Sequence, residues 1–234
     1  MGRPRRQEPR RAQLIAATQR VLARDGLVGL RVREVAAEAG MSPASVLYYF
    51  PDSFQLAVQA MDQAAHACAT ERAAVAASIP DPAQRVVALV MMDIPDPLPG
   101  IRRAFCEIPG QVTDHPELAA LIDFVLRDQI AVMQAAIEDG AASGAFVTAG
   151  DPELLARGIV ANLHAINPYR VCGLETAQQA RARMLAHLEC ALGCALPVAP
   201  AHRRDPRAAT PEGAERPAPA PSATASPDPV DVHH

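Results

Sequence analysis

The chain lacks tryptophan and lysine entirely, and only 3% of its 234 residues are aromatic. With three tyrosines and no tryptophan, it is poorly supplied for an aromatic cage around a quaternary ammonium ion. All 22 basic residues are arginine, a bias we attribute to the coding composition of the source genome rather than to guanidinium chemistry. No apolar run approaches the ~20 residues that a membrane span needs. No apolar core follows MGRPRRQEPRR, so this is not a secretory signal, and Arg6 stands where myristoylation needs Ser or Thr. Period-two alternation and β-branched runs are scarce, while alanine and leucine abound, which predicts an all-α fold. There is no nucleophile–base pair, phosphate loop or HExxH helix, so an enzyme is not expected. The five cysteines, Cys68, Cys106, Cys172, Cys190 and Cys194, are odd in number and form no metal-like cluster. Cys190 and Cys194 share a helix face near His187, but three groups do not complete a tetrahedral site. We expect small buried or half-buried thiols in a reducing cytoplasm, with neither metal nor cofactor.

Half of the residues are apolar, enough for a core, and the most informative stretch is residues 31–50, RVREVAAEAGMSPASVLYYF. Val32, Val35, Ala36 and Ala39 recur at i, i+3, i+4 and i+7, giving a short helix one apolar stripe. Gly40 follows where a helix stop favours the left-handed conformation. Ser42 supplies an N-cap oxygen, and Pro43 sits at the first helical position. Val46 and Phe50, four apart, anchor a second helix inward and leave Ser45, Tyr48 and Tyr49 largely on its other faces. That layout predicts a helix-turn-helix, whose second helix enters the DNA major groove. Charge points the same way. The formal net charge is −4, yet residues 1–33 hold nine arginines against Glu8 and Asp25, and the rest hold 13 against 24 acids. A basic front on an acidic protein suits phosphate attraction at one pole.

Around this motif the pattern predicts about nine helices. Residues 1–10 read as a flexible basic arm, followed by a helix over 11–25 with Leu14, Ile15, Thr18, Val21 and Leu22 inward. Asp52 or Ser53 caps a long fourth helix over about 54–77, and another runs over about 83–93. The segment 101–114 should kink or end early at Pro109 and Gly110. Further helices are expected from Pro116 to about 140, from Asp151 to about 168, and over about 175–196. From residue 197 onward the chain is a Pro/Ala-rich tail that buries too little to order, with terminal His233 and His234 incidental. The fold class is therefore all-α, with an N-terminal three-helix helix-turn-helix domain over 11–71 and a larger helical domain over 72–196.

The pattern LIAA…VLARDG…VREVAAEAGMSPASVLYYF over residues 11–71 resembles the TetR family of bacterial transcriptional regulators. Over 80–196, HPELAALI, IEDGAASGAF and ARARMLAHL are similar to its choline/betaine-regulator branch. The resemblance implies a homodimer, a roughly palindromic double-stranded DNA operator, and a core over 72–196 that holds a small-molecule effector. The expected function is a repressor released by that effector; an activator, or a regulator without a ligand, stays open. A protein-interaction role for the Pro-rich tail is a further alternative. Arg33 stands where related regulators often place a base-contacting side chain, and its fork matches O6 and N7 of guanine. Ser42, Pro43, Ala44 and Ser45 open the recognition helix toward bases and phosphates. Tyr49 matches the family's phosphate-binding aromatic, and Tyr48 a more variable neighbouring contact. Two positions depart from the pattern: Leu47, where the family commonly has Tyr, and Ser53, where a phosphate-binding Lys often stands. Arg3, Arg5, Arg6, Arg10 and Arg11 of the arm are expected to offset that loss.

An effector site is mostly apolar with a few placed polar groups. The candidates are Met91, Met92, Phe105, Glu107, Phe124, Met133, Asn162 and His164, each of which also fits a plain core role. Glu107, just ahead of Pro109, is expected to be turned toward a cavity by the kink, where its carboxylate would suit a cationic effector. The shortage of aromatics keeps the branch's ligand from being carried over. The last two helices, over about 151–168 and 175–196, are apolar on more than one face and form the expected dimer interface.

Overall fold

Among the described residues, five α-helices begin at a side chain that accepts a first-turn N–H. The computed structural model describes residues 7–148 and 150–197, and among these there are nine α-helices, one short 3-10 helix and no strand. The first helix, α1 (Gln7–Asp25), starts before the expected residue 11, so residues 7–10 are helical rather than part of an arm. Arg3, Arg5 and Arg6, and the expected tail from residue 198 onward, lie outside the described residues. Next come α2 (Val32–Ala39) and α3 (Pro43–Tyr49), joined through Gly40 at φ 63°. There the N–H of Gly40 donates to Ala37 O (3.1 Å) and that of Met41 to Ala36 O (2.9 Å), a closure that an L side chain would strain. Ser42 caps α3, accepting the Ser45 N–H at 3.1 Å.

The long α4 (Ser53–Ser78) is capped by Asp52, which accepts from Phe54 N at 2.8 Å, and α5 (Pro82–Asp93) by Asp81, which accepts from Gln84 N at 2.7 Å. The short α6 (Gly100–Glu107) stops before Pro109, and a 3-10 turn over Ile108–Gln111 replaces the rest of the expected 101–114 segment. Then follow α7 (Leu118–Ala142), α8 (Pro152–Val171) and α9 (Ala177–Leu192). α8 runs past its expected end because the carbonyl of Pro168 still accepts from Cys172 N at 3.0 Å, so the last turn closes without the proline N–H. α9 starts at a Thr176–Gln179 capping box and ends at Leu192, whose carbonyl accepts from Val147 N at 2.9 Å instead of a later helical N–H.

Three apolar clusters hold these helices. The front one joins Leu14 and Val21 of α1, Val35 and Ala36 of α2, Val46 of α3, and Leu56 of α4. A middle one joins Leu22, Met61, Ala104, Ile108 and Leu118, so α1, α4 and α6 share buried surface. The rear cluster joins α5, α7, α8 and α9 through residues such as Val90, Ile137, Ile159 and Met184. Fully burying one such side chain stabilises by about 1.5–3 kcal/mol. α4 contributes to both the front and middle clusters, which makes it a rigid connection between them. No helix among the described residues is long and apolar enough to cross a membrane.

Candidate functional site

α3 is anchored on one side and open on the other. Val46 is fully buried and Phe50 nearly so, whereas Ser42, Pro43 and Ala44 are exposed and Tyr48 keeps 67% of its surface in solvent. The Oγ atoms of Ser42 and Ser45 share a hydrogen bond of 2.8 Å, and Ser45 is half-buried. Tyr49 is half-buried. Its ring packs against the front cluster, edge-on to Tyr48 with centroids 5.2 Å apart, so Tyr48 is the more open of the two. Leu47 is 43% exposed, leaving an apolar side chain on the open face. Arg11, expected in the arm, works inside the domain instead. Its Nη1 donates to Tyr49 O at 2.7 Å, and its guanidinium carbon lies 4.0 Å from the Phe50 ring centre. This pins the last turn of α3 by a hydrogen bond and a cation–π contact.

The basic pole is smaller in the fold than in the count. Glu34 and Glu38 lie within five positions after residue 33, and both fold back onto arginines of α1. Arg20 bonds Glu38, and Arg24 bonds Asp25 at 2.8 Å while reaching Glu38 at 3.5 Å and Glu34 at 3.9 Å. The Arg20 hydrogen bond is the main reason the Glu38 carboxyl is held below its usual pKa. Arg33 donates from Nε to Glu34 Oε1 at 3.1 Å, yet its side chain is 80% exposed. Such an exposed pair contributes little, roughly 0–1 kcal/mol, so a base edge can compete for the guanidinium. Arg31 donates to the carbonyls of Val28 and Leu30, both at 2.8 Å, bracing the turn before α2.

The eight effector candidates are not brought to one chamber. Met133 is buried in the rear cluster, Met91 packs against it, and Met92 is half-buried. Phe105 and Phe124 belong to the middle cluster instead, Phe124 stacked on His66 with ring centres 4.2 Å apart. Asn162 Oδ1 accepts from Arg183 Nη1 at 2.9 Å, between α8 and α9. Glu107 does not face a cavity: its Oε2 accepts the N–H groups of Leu27 and Val28, each at 2.9 Å. The kink argument misplaced it because α6 ends at Glu107 itself, against the loop between α1 and α2.

His164 leads to a group that periodicity alone did not single out. It is exposed over part of its surface, but its Nε2 edge meets Gln129 Oε1. Gln129 Nε2 donates to Asp93 Oδ2 at 3.1 Å, and Asp93 Oδ1 accepts from Arg102 Nη1 at 3.0 Å and Arg72 Nη2 at 3.3 Å. Arg72 Nη1 in turn bonds Asp128. Arg72 and Asp93 are each 5% exposed and Gln129 7%, so α4, α5 and α7 meet through buried polar atoms, with α6 and α8 attached by Arg102 and His164. Arg72 Nε is the one buried side-chain polar atom without a partner among the described residues. Burial of the ring is the main cause that lowers the His164 pKa below its ordinary value; Asp93 opposes the shift, and Arg72 and Arg102 reinforce it. The available signal was a polar residue inside an apolar stretch, as in VVALVMMD or FVLRDQIAVM. Among the described residues no three His, Cys, Asp or Glu side chains are grouped to hold a metal. Cys172 and Cys190 are exposed, contrary to the expected burial, while Cys68, Cys106 and Cys194 are half-buried.

Residues 14–58 match the model of a family described as "Bacterial regulatory proteins, tetR family". No curated protein matches the chain by sequence. Solved structures do match it. A TetR transcription regulator from Haloarcula marismortui is 21% identical at a TM-score of 0.70, covering 80% of this chain and 98% of its own. A protein from Saccharomonospora viridis solved in complex with choline is 20% identical at 0.72, covering 78% and 96%. The reduced form of NemR from E. coli is 17% identical at 0.68, covering 80% and 98%. The front of the chain thus matches the TetR-family model over residues 14–58, and the described residues share the all-helical fold of these solved regulators. The matched family model is one of regulators, not of enzymes.

Proposed function

We propose that the protein is a homodimeric repressor that grips a palindromic duplex with one α3 from each copy and releases it when a small molecule enters the core. The observation that carries the reading is the set of exposed residues at and around α3, Ser42, Pro43, Ala44 and Tyr48, which together with the exposed Arg33 of α2 lie within the matched domain. α3 itself carries no charge, so it reads bases by hydroxyl and apolar contacts while neighbouring arginines meet phosphate.

A second copy is supported by α8. Leu154, Gly158, Ala161, Ala165 and Tyr169 recur at i, i+4, i+7, i+11 and i+15; Leu154 is 68% and Tyr169 51% exposed. Small residues between two large apolar ones let a partner helix approach closely, as in a four-helix bundle. On α9 the exposed Ala182, Ala186 and Cys190 extend the same character. For the effector, the unpartnered Arg72 Nε beside Asp93, Gln129 and His164 supports a compound presenting a hydrogen-bond acceptor. The cationic effector expected from Glu107 is given up, because that carboxylate is engaged elsewhere.

The test is selection of bound duplexes from a random pool by the purified protein. An inverted repeat should emerge, and Arg33→Ala should cost about 1–3 kcal/mol and relax preference at one base pair per half-site. A pool from which no duplex is enriched overturns the reading.

A further inference from the structure

We propose that Glu107 is a positioning residue for DNA binding: from the end of α6 its carboxylate holds the α1–α2 loop, and so sets the angle at which α2 and α3 are presented. The inference rests on the DNA-binding reading above and adds the device that aims the recognition helix. Its basis is one stripe of α6. Gly100, Arg103 and Glu107 lie at i, i+3 and i+7, hence on one face, and all three touch the end of α1 or the loop behind it. At Gly100 the backbone lies so near the carbonyl of Ala23 that a Cβ would collide with it, and Arg103 Nη2 donates to that same carbonyl at 3.3 Å. One turn on, Glu107 Oε2 takes two N–H groups from consecutive loop residues, Leu27 and Val28.

Those two N–H groups have left the helical ladder, which ends where Gly26 turns at φ 75°. Leu27 is buried in the middle cluster, but the next residue, Val28, is 64% exposed, so its side chain does little to hold the outer part of the loop. At Val28 the charged acceptor therefore does what burial does at Leu27, in bonds stronger than neutral ones. Gly26 suits the turn by its left-handed φ, and a Cβ there would push against the Glu107 carboxylate. α2 begins only a few residues later, at Val32, so a shift of the loop is passed to the helix-turn-helix. On another side of α6, Arg102 bonds Asp93 in the buried polar group. One short helix thus joins that group to the loop that orients the DNA-facing elements.

The test uses the full chain with three substitutions. Glu107→Ala removes the carboxylate, Glu107→Asp keeps its charge but shortens its reach by one methylene, and Glu107→Gln keeps both reach and an accepting oxygen. Amide hydrogen exchange, measured without DNA, should quicken at Leu27 and Val28 by about ten- to a hundredfold in the Ala and Asp variants and by less than about tenfold in Gln, whose neutral oxygen reaches both N–H groups in weaker bonds. On duplexes whose half-sites are moved one or two base pairs apart or together, wild type and Gln should prefer one spacing. The Ala and Asp variants should bind all spacings within about threefold, with base preference inside each half-site retained. Unchanged exchange at Leu27 and Val28, or a wild-type spacing preference in both Ala and Asp variants, overturns the proposal. If Glu107→Ala does not fold, the Asp variant decides. A wild-type chain that binds no duplex instead defeats the functional reading, and the exchange measurement still judges the latch.

Discussion

Asp93→Asn tests whether the buried polar group is a structural unit. Asp93 is 5% exposed and its two oxygens receive donors from Arg72, Arg102 and Gln129. The substitution keeps the shape but removes the charge that faces the buried Arg72. Arg102 is more exposed and can turn to water, and Asp128 still pairs with Arg72, so the loss falls at the low end for stranding one buried ion, about 3 kcal/mol. At a size near 200 residues that corresponds to a drop in Tm of about 6–12 °C. The assay is urea unfolding followed by circular dichroism at fixed protomer concentration, since a dimer's stability depends on concentration. The midpoint should move with little change in m. Adding Arg72→Met should recover at least about 1 kcal/mol, because the stranded cation goes with it. A loss below about 1 kcal/mol for Asp93→Asn, or a double variant worse than the sum of the singles, refutes the account.

Three further outcomes are expected. Because burial holds the His164 pKa below its ordinary 6.5, the unfolded chain takes up that proton first as pH falls; the stability from neutral His164 is present above about pH 6.5 and is lost below it. His164→Gln, which keeps a donor for Gln129, should flatten that part of a denaturation–pH profile, and an unchanged profile counts against the assignment. Ser42→Ala removes the cap on a seven-residue helix and should destabilise by about 1 kcal/mol, with faster amide exchange at Ser45; unchanged exchange there argues against the capping role. Leu154→Glu places a charge on the exposed stripe of α8, and sedimentation should find monomer at concentrations where the wild type is dimeric. A variant that stays dimeric moves the interface elsewhere.

What was legible in the sequence was what local chemistry decides. Ser42 and Pro43 start α3, Gly40 stops α2, and the Val46–Phe50 pair chooses the buried face, all within nearest helical neighbours. The same holds for the all-helical fold and for Asp52 as the cap of α4. Contacts between distant residues left no such mark. Glu107 meets a loop 80 residues earlier, and Asp93 meets a glutamine 36 residues later. Pro168 shows the same limit from the other side: a proline reads as a stop, but near the end of a helix its carbonyl can still serve the last turn. The effector candidates scattered because helical spacing selects inward-facing residues without saying which cluster they enter. The buried polar residues were the better guide, since each must find a partner across the core.

Charge needed the fold most. Summing charge to residue 33 placed nine arginines at one pole, but Glu34 and Glu38 lie one turn apart on α2, on the side facing Arg20 and Arg24. Arg11 is turned inward to Tyr49 O, and Arg31 to the carbonyls of its own loop. Phosphate attraction by Arg20, Arg24 and Arg33 would therefore be a competition in which DNA must draw guanidinium groups from carboxylates already beside them, a trade that yields less than capture of an unpaired cation. Since α3 brings no charge, the aim of that helix matters more than the strength of the field around it. In the proposed dimer, a weak, uncharged reader gains selectivity only if both copies meet their half-sites in register, which would give a loop held by one carboxylate leverage over binding.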